Sequence, residues 1–268
     1  MQAIDRPTHS AFASSELGGS AATAQSLRSR QHRVTIMLLA AGATGASLFP
    51  IVALVESATR PGYNPWTHYV SELSLSEYGW MQIANFIICG VLLIAGAIGM
   101  ARALPPGPGS SWGPRLIGAF GVSLLVAGIF VTDPSQAYPA GVGISGPQTL
   151  HGTIHGINGP ICFSLLAAAG WVFARYFASV SPRWAMLSTL VGVLVPILFI
   201  ATTASSVLAE TGVFPESPTG LLQRITIIGG WTWIALLALQ VRRRYMRVSI
   251  SGATSGAPET SLESRSER

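Results

Sequence analysis

Polarity along this chain changes in long blocks rather than from residue to residue. Six apolar stretches, residues 34–55, 80–103, 116–132, 154–178, 184–208 and 221–241, are separated by short polar connections and flanked by polar ends. Each stretch is 17–25 residues long, and about 20 helical residues cross the hydrocarbon of a bilayer. In lipid every backbone N–H and C=O needs a partner within its own segment, which a helix supplies. The pattern predicts an all-α, polytopic membrane protein with six transmembrane helices. Pro114, just ahead of the third stretch, suits the opening turn of a helix. Pro160 and Pro196, inside the fourth and fifth, predict kinks.

The ends read differently. Residues 1–33 are rich in Ser, Ala, Gln and Arg and lack the apolar core of a secretory signal, so they predict a disordered tail. Residues 34–241 form the membrane domain. Residues 242–268 begin with a basic run and pass into Ser, Gly and Glu, which predicts a second disordered tail.

Composition sharpens this picture. The chain is 49% hydrophobic and 10% charged, whereas soluble domains carry about 25% charged residues. A net charge of +5 raises the question of nucleic acid, but the basic residues are all Arg and sit beside the apolar stretches. That placement excludes a nucleic-acid stripe and points to membrane lipid as the partner. With the N-terminus inside, all arginines except Arg60 and Arg224 fall on the cytoplasmic side. The positive-inside rule then gives N-in/C-in topology, and the expected location is the plasma (inner) membrane. Cys89 and Cys162 lie inside apolar stretches, as packing residues do. Small residues recur in the spans, and Gly152 with Gly156 forms a G-x-x-x-G that predicts a neighbouring helix packed close by.

Candidate chemistry gathers on one side. No ionisable residue lies at mid-depth, which argues against an ion-coupled transporter. The non-cytoplasmic side, by contrast, carries His68, Glu72, Asp133, His151 and His155. If the segment around His68 is helical, His68 and Glu72 share a face, as do His151 and His155. Two imidazoles one turn apart can hold one metal, completed by a third His or a carboxylate. Three readings follow. The first is a structural or lipid- or ligand-binding membrane protein fixed by this polar cluster. The second is a metal-dependent hydrolase of lipid amides or esters. There His68, His151 and His155 hold zinc, which activates water, and Asp133 or Glu72 serves as general base or orients a ligand. The transporter is the third.

The segment His68-Tyr-Val-Ser71-Glu72-Leu73, the Asn85-Phe86 pair, Asp133 and His151 resemble the prokaryotic membrane family catalogued as domain of unknown function nine-nine-eight. The likeness spans about residues 34–241. The family's usual Gly after Ser-Glu-Leu is Ser74 here. The resemblance implies six helices and no established activity. In chemistry alone, Ser71, Asp133, His68 and the His151/His155 pair are similar to the zinc site of alkaline ceramidases and adiponectin receptors. Those proteins have seven helices and a differently placed His pair. That likeness adds Ser71 to the candidate catalytic residues.

Overall fold

The computed structural model describes residues 9–144 and 146–254, with side chains over 25–144 and 146–248. Among these, six helices are long and apolar enough to cross a membrane. They are α1 (His9–Thr59), α2 (Gly79–Ala103), α3 (Trp112–Ile129), α4 (Leu150–Phe177), α5 (Pro182–Glu210) and α6 (Thr219–Thr254). No strand occurs among the described residues. The protein is an all-α, multi-pass membrane protein. Pro114 lies in the opening turn of α3, where its missing N–H has no helical acceptor to lose. Pro160 and Pro196 lie within helices that run on past them.

Two boundaries differ from the sequence reading. α1 begins at His9, so residues 9–33 are helical rather than an unstructured tail. Their Ala, Gln, Leu and Arg are good helix formers, and a helix already nucleated in the membrane extends at little cost. α6 likewise runs past residue 241 to Thr254. Residues 1–8 and 255–268 of the expected tails lie outside the described residues.

Each helix packs on its sequence neighbours, and α6 closes back on α1, so the six form a ring. Its centre is aromatic. The Trp231 ring lies 5.2 Å from Phe49 of α1 and 4.7 Å from Phe120 of α3. Where helices touch most closely, glycine makes the approach. A Cβ on Gly42 would come within 2.6 Å of the Gly96 Cα, and Gly90 meets the Gly121 carbonyl in the same way. α5 is the least buried of the six.

At the end where α1 meets α2, α3 meets α4 and α5 meets α6, a 3₁₀ turn, Val70–Ser74, tucks against α1, α2 and α6. It plugs that mouth of the ring. The loop from Asp133 to Thr149 folds over beside it.

Candidate functional site

The plug is held by two buried arginines. The Arg60 guanidinium pairs with Glu56 at 2.7 Å and donates to the carbonyls of Leu73, Leu75 and Tyr78. Arg224 donates from Nη1 to the carbonyls of Pro65, His68 and Gly220 at 2.8–3.0 Å, and from Nη2 to Ser57 and to the Tyr63 hydroxyl. These are the two arginines that sat apart in the sequence. Both are spent on backbone carbonyls, where a buried acceptor otherwise goes unpaired.

The loop residues expected to gather as one polar cluster are dispersed by this framework. Nδ1 of His68 accepts the Asn64 N–H at 2.9 Å, so the proton is on Nε2, which donates to the Gln136 carbonyl at 3.1 Å. The ring is wedged between Tyr63 and Tyr138, with centroids 5.3 and 5.1 Å away. Both nitrogens are occupied, and burial pushes the imidazole below its usual pKa. Glu72 does not share a helical face with His68, because the helix starts only at Val70 and is a 3₁₀ turn. Its carboxylate instead accepts from the Tyr69 N–H at 2.7 Å and from the N–H and hydroxyl of Ser135 at 3.2 and 2.6 Å. Glu72 thereby ties the plug to the loop. Burial raises its pKa to about 7, with Glu210 adding to the rise. The loop beyond Ser135 turns through left-handed backbone at Gln136 and Ala137, a conformation that non-glycine residues keep only when the surroundings hold them.

Asp133 caps α4. It accepts from the N–H and hydroxyl of Thr149 at 2.8 and 2.6 Å, and Thr149 in turn accepts from the Gly152 N–H. A carboxylate there complements the positive end of the helix dipole. Gly152 has no side chain because a Cβ would collide with the Asp133 carboxylate, and Gly156 has nothing within 4 Å of where its Cβ would stand. The pair does not seat a neighbouring helix. His151 is exposed and stacks its edge on Phe130.

The zinc site expected from His68, His151 and His155 is therefore not assembled. Among the described residues no three His, Cys, Asp or Glu side chains group as metal ligands would. Asp133 and Glu72 are engaged in capping and tethering rather than facing a shared reactant.

Two of the expected residues do come together. Ser71 and His155 line two adjoining spaces, an inner cavity of about 70 Å³ and a wider crevice of about 300 Å³. The crevice lies between α4 and α5, and α6 and the plug form its inner wall. The exposed residues Gly156, Pro160 and Thr203 form its rim, so it opens sideways. His155 lies five residues into α4, roughly 8 Å below the helix start.

A family model described as "protein of unknown function (DUF998)" matches residues 43–240. The chain belongs to the DUF998 family. No curated protein and no solved structure matches it. The matched region contains the plug, both buried arginines and every residue of the crevice in this DUF998 protein.

The crevice carries polar groups without charge. The His155 Nδ1 lies 2.7 Å from the Phe130 carbonyl. A carbonyl only accepts, so Nδ1 bears the proton and Nε2 keeps a lone pair. Gln223 anchors its Oε1 on the Val70 N–H at 2.7 Å, which leaves its amide NH₂ to donate. Ser71 makes no hydrogen bond through its hydroxyl among the described residues. Thr202 and Thr226 donate back to carbonyls of their own helices, so each presents an acceptor oxygen. Pro160 lacks an N–H, which frees the Gly156 carbonyl from its usual helical donor. Gln223, Thr202 and Thr226 went unremarked in the sequence. Their signal was there: a Gln and clustered Thr within spans otherwise apolar.

Proposed function

We propose that this DUF998 protein binds a lipid with an uncharged polar head, admitted sideways between α4 and α5. The observation that carries the reading is the side-opening crevice itself. It offers a lone pair on His155, an amide donor on Gln223 and the Ser71 hydroxyl, and no acidic or basic side chain except the His155 imidazole lines it. A phosphate head requires Arg, Lys or a cluster of N–H donors, whereas an ester, an amide or a hydroxyl is matched by single neutral donors and acceptors. An opening between helices within the apolar spans suits a ligand that arrives through the bilayer. The arginine distribution supports a topology in which the plugged end faces away from the cytoplasm, so the ligand would come from the outer leaflet.

The test is photo-crosslinking of the purified protein in lipid nanodiscs with a diazirine-bearing diacylglycerol. The expected adducts lie on peptides from α4 and α5. Gly156→Leu with Gly159→Leu should abolish them without lowering the melting temperature, since both positions face open space. Adducts that persist at full yield in the filled variant would sink the proposal.

A further inference from the structure

Ser71 and His155 line one cavity, the first from the plug and the second from α4. We infer that they form an acyl-transfer pair, Ser71 as nucleophile and His155 as general base, acting on a lipid ester bound in the crevice. The inference rests on the lipid-binding reading above.

Four features carry it. The imidazole is oriented by a short Nδ1–H bond to the Phe130 carbonyl, the task an acidic partner performs in serine hydrolases. That bond leaves the basic lone pair on Nε2. The Ser71 hydroxyl borders the same small inner cavity and has no hydrogen-bond partner among the described residues. The Gln223 amide, fixed through its Oε1 on the residue before Ser71, has an N–H₂ group left to meet an oxyanion. His68 is excluded from the base role because both its nitrogens are bound, and His151 because it does not line the cavity.

The chemistry closes on these groups plus water. Ser71 Oγ attacks the ester carbonyl carbon and passes its proton to His155 Nε2. The carbonyl electron pair moves onto oxygen, where the Gln223 N–H₂ group donates to it. Collapse of this adduct breaks the bond to the alcohol oxygen, which takes the proton back from His155. The acyl group stays on Ser71 until water, deprotonated by His155, attacks it. Carboxylic acid leaves and Ser71 regains its proton. A lipid alcohol in place of water would transfer the acyl chain instead.

The experiment is active-site labelling of the full-length protein in nanodiscs with an alkyl fluorophosphonate, followed by peptide mass spectrometry. Phosphonylation on Ser71 is expected, lost in Ser71→Ala and slowed at least 100-fold in His155→Gln. Ser110→Ala, at the opposite end of the ring, should label as wild type does. The diacylglycerol crosslink is measured on the same preparations. A wild-type protein that crosslinks to lipid but takes no phosphonate on Ser71 overturns the acyl-transfer pair and leaves lipid binding standing. Labelling that survives at full rate in His155→Gln overturns the role of His155 as base. Loss of both crosslink and label removes both readings.

Discussion

At the scale of single residues, Glu72 is the most informative side chain. Its carboxyl is buried, its pKa rises to about 7, and its two hydrogen bonds from Ser135 join plug to loop while a third holds the Tyr69 N–H. A carboxyl whose folded pKa exceeds its ordinary 4.5 gives stability that is fully present below that value and is lost as pH rises through about 7. The swing attached to such a shift is about 3 kcal/mol at most. His68 acts in the opposite sense: its depressed pKa gives stability present above 6.5 and lost as pH falls. Melting curves in detergent from pH 5 to pH 8 should show wild type losing stability toward pH 8, and Glu72→Gln should flatten that slope. An unchanged slope in the variant would exclude Glu72 as its source. Arg224 gives a second prediction. Arg224→Gln leaves the carbonyls of Pro65, His68 and Gly220 without their donor. It should destabilise the protein by about 3 kcal/mol or more, whereas Arg28→Gln, on an exposed stretch of α1, should melt as wild type does.

At the scale of elements, α4 shows how one sequence motif serves two purposes. The spacing of Gly152 and Gly156 was readable as a helix-packing motif, and what decides otherwise is a carboxylate 19 residues earlier in the chain. Asp133 needs the space above Gly152 to cap the helix, and Gly156 borders the crevice instead of a helix. Gly152→Ala should therefore displace Asp133, lower the melting temperature clearly and free the Thr149 N–H to exchange with deuterium. Asp133→Asn should do less, since an amide oxygen can still accept one of the two Thr149 bonds. If Gly152→Ala and Gly156→Ala melt alike, the cap is not what Gly152 protects. The glycine contacts of α1 on α2 are of the other kind, backbone against backbone. There small residues within the spans do allow close packing, as Gly42 against Gly96 shows.

At the scale of the whole molecule, the ring is closed by α6 on α1 and plugged at one end only. The two buried arginines hold that plug, which removes them from the charge count that orients a membrane protein. Among the described residues, the remaining arginines lie at the other end or on the helical extensions leading from it. Reporter fusions after Arg102 and Arg175 should therefore report cytoplasm, and fusions at Ala140 and Glu216 the opposite side. A cytoplasmic signal at Ala140 would reverse the side from which lipid reaches the crevice.

The sequence by itself determined the spans, because segment length and hydropathy are local properties matched to a bilayer of fixed thickness. It also marked the likeness to the DUF998 family through the segment from His68 to Leu73. The partners of the polar residues were not local. His68 and Glu72 are four apart, yet one bonds Asn64 and Gln136 and the other Tyr69 and Ser135. His151 and His155 are also four apart, yet one is exposed and the other lines the cavity. Only the tertiary structure decided which histidine nitrogen carries the proton, which carboxylate caps a helix, and that Ser71 and His155 line the same cavity. A hydrogen bond is settled by whichever group arrives within about 3 Å, and in a six-helix ring that group comes from another helix or loop.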